Sequence, residues 1–194
     1  DVAYIRLEQF TDQSVEDMSA ELKRIVDADY EGIILDLRYN PGGGLDATVQ
    51  IADMFIDEGI ILTQVDRDGS ETVFQARAGG EATEIPIVLL VNQFSASGSE
   101  VLAGALRDHN RATLIGEQTF GKGSVNHVRP LSDGGALYVT IARWLTPNGE
   151  LIEGVGIAPD VAVALTEDDL DPIFNGQLFA AIDFLHNELT QAVD

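Results

Sequence analysis

Few groups in this chain can do covalent chemistry, and two of them are set apart by their surroundings. Ser97 opens the run Ser97-Gly98-Ser99-Glu100, a few residues after the apolar stretch Ile87 to Val91. A serine at a helix N-terminus sits where the positive end of the dipole stabilises an alkoxide or oxyanion, and Gly98 gives an unobstructed backbone N–H. The same four residues also fit a capping box, in which Ser97 and Glu100 do no more than satisfy first-turn amides. Lys122 stands in Phe120-Gly121-Lys122-Gly123-Ser124 and is one of only two lysines, in a chain that otherwise uses arginine for positive charge. Lysine is the residue that base chemistry needs, because burial disfavours its ammonium, whereas arginine cannot be deprotonated. A serine with an adjacent desolvated lysine is an activated nucleophile. The other lysine, Lys23, falls on the polar face of an amphipathic helix. A surface loop lysine remains the competing reading of Lys122.

Asn40-Pro41-Gly42-Gly43-Gly44 also leaves an apolar run, Gly32 to Leu37. Three successive glycines let backbone N–H groups point into one space, a nest able to hold developing negative charge, although a tight turn asks for the same residues. Histidine is the rival base. His109 follows Arg107-Asp108 at a helix end, His127 lies in an apparent strand and His186 in the last helix. A Ser-His-Asp triad of Ser97, His127 and Asp36 or Asp108 stays open, but no G-x-S-x-G elbow is present. The histidines are isolated and there is no H-E-x-x-H, so a metal centre is not expected. The glycine loops match neither the dinucleotide nor the P-loop pattern.

The elements that must position these groups are legible from periodicity. Val2 to Leu7 alternates like a strand, and Ser14 to Ala28 has helical spacing, with Ser14 and Asp17 as its capping pair. The runs at 32–37 and 87–91 read as strands buried on both faces. Helices are expected over about Leu45 to Ile56 and Ser97 to Asp108. Gly59 to Asp66 and Glu71 to Arg77 form a hairpin across Arg67-Asp68-Gly69-Ser70. Further strands are expected at Ala112 to Ile115, near Val125 and over Ala136 to Ala142. A turn-rich link, Gly154 to Asp160, and an acidic stretch at Glu167-Asp168-Asp169 precede a last amphipathic helix, about Asn175 to Leu189. Repeated strand, glycine loop and helix indicate an α/β fold of βαβ units, with a mostly parallel sheet and an antiparallel addition.

Length and composition agree. The 194 residues suit one compact domain, 45% of them are hydrophobic, and the 19 glycines show no collagen-like period. The formal charge of −22 argues against nucleic-acid phosphates and anionic lipid as partners. No cysteine is present, which removes disulfides and thiol chemistry, and no stretch reaches the ~18 apolar residues of a membrane span.

Taken in order, Asp36 to Gly44, Phe94 to Glu100, Gly116-Glu117 with Phe120 to Gly123, and Gly154 to Asp160 resemble the carboxy-terminal processing peptidases, or tail-specific proteases, of peptidase family S41. The resemblance implies a crotonase-like or Clp-protease-like fold and a serine endopeptidase that cleaves near protein C-termini. By motif, Ser97 is then the nucleophile and Lys122 its base. Asn126 falls where the family has a glutamine orienting that lysine, and its shorter amide departs from the pattern. Asp108 matches a supporting acidic position, and the oxyanion donors would be the amides of Gly98 and of Gly42 or Gly43. The resemblance further implies a protein or peptide substrate, no coenzyme and a cell-envelope location. No segment fills the role of the family's PDZ module, so residues 1–194 read as a peptidase core, ending in a linker and helix over about 160–194. Contact with a membrane or adaptor would then use regions outside the chain. Two rivals stand beside this reading: an inactive peptide-binding scaffold of the same fold, and a crotonase-type enzyme acting on a coenzyme A thioester, for which basic residues to hold phosphates are few.

Overall fold

The structure is a computed structural model in which residues 1–166, 171 and 173–191 are described. The expected acidic run Glu167-Asp168-Asp169 lies outside the described residues.

The chain runs β1 (Val2–Arg6), α1 (Asp12–Asp27), β2 (Gly32–Asp36), α2 (Leu45–Asp53), β3 (Ile60–Asp66), β4 (Glu71–Gln75), β5 (Ile87–Val91), α3 (Gly98–Asp108), β6 (Ala112–Gly116), β7 (Ser124–Pro130), β8 (Ala136–Leu145), β9 (Val161–Ala162) and α4 (Gly176–Gln191). Five strands form a parallel sheet in the order β1-β2-β5-β6-β9. Its two central strands are apolar throughout except at Gly32 and Asp36 because both faces are covered, and every residue of β2 and β5 is buried. On one face α1, α2 and α3 close a core that includes Leu22, Ile25, Leu35, Ile51, Leu89, Leu102 and Leu106. On the other, Leu178, Ala181 and Leu185 of α4 pack against Ile34, Val88 and Leu90. Each fully buried aliphatic side chain of this kind contributes about 1.5–3 kcal/mol.

The antiparallel addition is larger than the single hairpin expected. The two hairpins β3–β4 and β7–β8 join through β3 and β8 into a four-stranded sheet, β4-β3-β8-β7, that leaves β7 at one edge. Three local expectations are also revised. Helix α1 begins at Asp12 with Thr11 as its cap: the Thr11 hydroxyl accepts from Ser14 N–H and the Ser14 hydroxyl accepts from Thr11 N–H, so Ser14 is the inner member of the box and Asp17 has no part in it. Phe10, immediately before this cap, is held by a bridge to Gly43. Helix α2 ends at Asp53 rather than at Ile56. Strand β9 pairs only Val161 and Ala162 with β6.

Candidate active site

The loops after β2 and β5 meet at Asn40, which is fully buried. Its carboxamide donates to Leu7 O at 2.7 Å and accepts from Gly42 N–H at 2.8 Å. Its carbonyl accepts from Ala96 N–H at 3.0 Å and from the Ser99 hydroxyl at 2.9 Å. One side chain and its own backbone thus hold the glycine loop against the residues on either side of Ser97.

Gly42, at φ +97°, fits because it has no side chain: a Cβ would stand 2.7 Å from Ala96 O and from Gly98 N. The bond from Gly42 N–H to Asn40 takes that amide out of the set of free donors. Among the described residues the N–H groups of Gly43 and Gly98 have no acceptor. A pair of uncommitted amides beside a serine is the arrangement an oxyanion asks for.

Ser97 itself is buried, 7% exposed, and holds φ +57° and ψ −114°, a conformation that a non-glycine residue keeps only under constraint. The G-x-S-x-G motif is absent, yet the backbone makes the same kind of sharp strand-to-helix turn.

Glu100 supplies the constraint. Its carboxylate is wholly buried and has no cationic partner among the described residues; it is satisfied by four donors instead. Oε2 accepts from Ser97 N–H at 2.9 Å and from Lys122 N–H at 2.8 Å. Oε1 accepts from the Thr119 hydroxyl and from Gly121 N–H, each at 2.6 Å. The backbone nitrogens of Ser97 and Lys122 are therefore separated by at most the two bonds that share one oxygen. The serine and the lysine foreseen from sequence stand on adjoining turns fixed to one carboxylate.

The dry surroundings expected for Lys122 are not present. Gly121 and Gly123 are buried and lie against the chain from Ile152 to Gly156; a Cβ on Gly123 would meet Ile152 Cβ at 2.7 Å. Their close approach belongs to the backbone, and it turns the intervening Lys122 outward, where its side chain is exposed and makes no hydrogen bond or ion pair among the described residues.

The remaining expected members lie further out. Asn126 is exposed on β7 and bonded to Thr140 Oγ1 at 2.8 Å and Ser124 Oγ at 3.4 Å. Asp108 is at the opposite end of α3 from Ser97, about 16 Å along the axis. There it accepts from Arg107 and from Asn148 N–H. Burial works against its charge, but bonds from Thr146, Asn148 and Arg107 outweigh that cost and hold its carboxyl below the usual range. Asp108 thus anchors the far end of α3. The rival triad has no geometric basis: His127 is exposed on β7, Asp36 is paired with Arg38, and Asp108 is remote. His109 caps α3 and reaches Ile60 O at 2.8 Å.

A second buried unit supports the glycine loop from beneath. Arg38, 2% exposed, forms a two-pronged pair with Asp36 at 2.9 and 2.7 Å. Its other donors reach Asn175 Oδ1 at 2.7 Å, Gln177 Oε1 at 3.2 Å and Ile173 O at 3.2 Å, all at the start of α4. Burial opposes the guanidinium charge, but bonding and attraction to Asp36 keep its pKa above the ordinary value. The Tyr4 hydroxyl donates to the same carboxylate, and its pKa is raised by burial and then by that bond. Sequence reasoning missed this unit and the reach of Glu100, since neither has a spacing signature.

No group of histidine, cysteine and carboxylate side chains able to hold a metal occurs among the described residues, and no described helix is long and apolar enough to cross a membrane.

Comparison with known proteins bears on the family. The model of peptidase family S41 matches residues 1–163. A carboxy-terminal-processing protease of Bartonella bacilliformis is 45% identical over 168 residues, covering 84% of this chain and 39% of that protein. A carboxyl-terminal-processing protease of Synechocystis is 46% identical over 162 residues, covering 84% and 38%. This chain therefore spans about two fifths of the length of those relatives. The solved photosystem II D1 C-terminal processing protease superposes with a TM-score of 0.79 at 37% identity, over 84% of this chain and 42% of that one. The order of the motifs, the two facing loops and the matched family model lead to one conclusion: this chain belongs to peptidase family S41.

Proposed function

We propose that the chain is the catalytic core of a serine endopeptidase that cleaves near protein C-termini. The observation that carries this reading is the shared Glu100 oxygen, which fixes the backbones of Ser97 and Lys122 beside each other and beside two free amides. In the first step Ser97 Oγ attacks the scissile carbonyl carbon while its proton passes to Lys122 Nζ, and the new oxyanion is held by the N–H groups of Gly98 and Gly43. The C–N bond then breaks and the leaving amine takes the proton back from the lysine ammonium. Water, giving a proton to Lys122, attacks the acyl-enzyme, and the Ser97 oxygen leaves and recovers its proton. Because Lys122 is exposed in the free chain, the polypeptide substrate itself supplies the water exclusion that base catalysis needs. Asn126 and Asp108 act at a distance in this scheme, the first on the β7–β8 surface and the second through α3.

The names of the relatives support a protein substrate handled at its C-terminus; the cell-envelope location rests on the resemblance of the motifs, and one relative, from Arabidopsis thaliana, is named as chloroplastic. The test is covalent labelling. A serine-reactive fluorophosphonate is expected to label the wild-type chain at one site, located at Ser97 by mass spectrometry, and to leave Ser97→Ala unlabelled. Labelling elsewhere, or none in the wild type, removes the proposal.

Gly42 gives an independent check on the loop geometry. Gly42→Ala drives a methyl group into the Ser97 turn and imposes positive φ on alanine, so labelling should slow by about a hundredfold and unfolding stability fall by about 1–3 kcal/mol. Gly69→Ala has similar φ, +86°, with nothing within 4 Å, and so reports strain alone: its stability falls by about 1 kcal/mol and labelling is unchanged. Equal labelling rates in the two variants would show that the glycine loop does not hold Ser97.

A further inference from the structure

Strand β7 leaves the Lys122 loop and runs along the free edge of the antiparallel sheet. Register places His127 and Arg129 of β7 on the same face as Val139 and Leu137 of β8, while the register shift at Val125/Asn126 leaves Ile141 as the extra residue of a bulge and puts Arg143 on the other face. All six are exposed, with Leu137 at 50% and Ile141 at 44%. At the inner end of β8 the same face, carried on past the bulge by Ala142 and Trp144, is buried. The outer part of the face is therefore a short apolar stripe, Leu137-Val139, beside His127 and Arg129 and exposed among the described residues.

Its charge is unlike the rest of the chain. Residues 122–145 contain three of the 11 basic residues and one of the 33 acidic ones, while the whole chain carries −22. Most other cations are committed: Arg24, Arg38, Arg77 and Arg107 to carboxylates, and Arg111 to the carbonyls of Phe55, Ala82 and Ile85. The side chains of Lys122, Arg129 and Arg143 have neither a hydrogen bond nor an ion pair among the described residues. Uncommitted positive charge beside an apolar stripe, on an edge strand with unpaired backbone groups, is complementary to an extended polypeptide with acidic and apolar side chains.

We infer that β7 is the track on which the substrate polypeptide lies, added as a further strand of the sheet, and that Arg129, beside Leu137 and Val139, selects substrates with acidic side chains some five to eight residues from the scissile bond. The inference rests on the peptidase reading for what the strand delivers to Ser97, and its binding arm can be measured without hydrolysis. The strand begins two residues after Lys122, whose backbone is held to the Ser97 turn by Glu100, so a segment paired along β7 is led towards the serine.

The experiment uses the Ser97→Ala chain and fluorescein-labelled, unstructured peptides that differ only in having two glutamates or two lysines in that window. The glutamate peptide is expected to bind about tenfold more tightly at low salt, with the difference shrinking as salt rises. Arg129→Glu, at an exposed position, is expected to abolish the preference. No binding, no preference, or a preference that survives the charge reversal overturns the inference; in the first case the arginine merely guards an edge against aggregation. Self-association abolished by the same reversal, with peptide binding unmoved, also overturns it and assigns the face to a second copy of the chain. Failure of the wild type to hydrolyse a peptide that Ser97→Ala binds with this selectivity removes the peptidase reading and leaves the binding track in place.

Discussion

Replacing Lys122 with alanine is expected to lower turnover of an unfolded protein substrate by about 10⁴-fold or more, and Lys122→Arg is expected not to restore it. The two variants separate base from charge. Both remove an amine that can exchange a proton with Ser97, but arginine keeps a positive charge at nearly the same place. Since the Lys122 side chain is exposed and makes no hydrogen bond or ion pair among the described residues, neither change disturbs packing, and denaturant midpoints should stay within about 0.5 kcal/mol of the wild type. Turnover is read from the release of new amino termini. A Lys122→Arg chain that keeps a tenth of wild-type turnover would mean that the lysine serves only as a cation, and the proton transfers assigned to it would have to be abandoned.

The second large effect belongs to Glu100. Glu100→Gln preserves shape but puts an amide N–H₂ where one oxygen accepted two donors. If the amide faces Thr119, the hydroxyl can reverse and accept, and Gly121 N–H is left unpaired; if it faces the other way, the amides of Ser97 and Lys122 both lose their acceptor. An orphaned buried donor costs about 1–3 kcal/mol, so Glu100→Gln should lose about that amount of unfolding free energy and Glu100→Ala, which strands all four donors, clearly more. Turnover should fall by about a hundredfold or more even in Glu100→Gln preparations that remain folded, because the tie between the serine turn and the lysine loop is broken. Circular dichroism in urea gives the first quantity and peptide release the second. Full turnover in a destabilised variant would separate the carboxylate from the placement of the site.

How far these features were legible depends on the distance over which each is decided. The runs Gly32-Ile33-Ile34-Leu35-Asp36 and Ile87-Val88-Leu89-Leu90-Val91 declare themselves as buried strands by composition alone, and the glycine loop and Ser97 follow from where those strands end. The Ser97 to Glu100 spacing suggested a helix cap, and the Glu100 half of that cap is present. A capping box, however, looks only three residues along the chain, whereas the other three donors to Glu100 come from residues 119, 121 and 122, which the fold alone brings near.

Lys122 stands out in the sequence by its glycine flanks, and the dry surroundings expected for it are absent for one physical reason. Flanking glycines permit close approach, but they do not say whether backbone or side chain makes it; here Gly121 and Gly123 do so, and alternation turns the lysine out. The two-residue strand β9 is too short to leave a pattern, and it exists because β6 offers an edge to pair with. Arg38 read only as part of a motif, since its partners at 173, 175 and 177 are over a hundred positions away.

That last tie bears on where the folding unit ends. The match to the family model ends at residue 163, which invites a cut there. Yet a chain severed there would leave a guanidinium enclosed beneath the glycine loop without three of its acceptors, and the α4 side of the parallel sheet stripped. That border thus separates Arg38 from the groups at 173, 175 and 177 that satisfy it, and a helix lying beyond the matched stretch helps to hold up the loop on which the proposed oxyanion site depends.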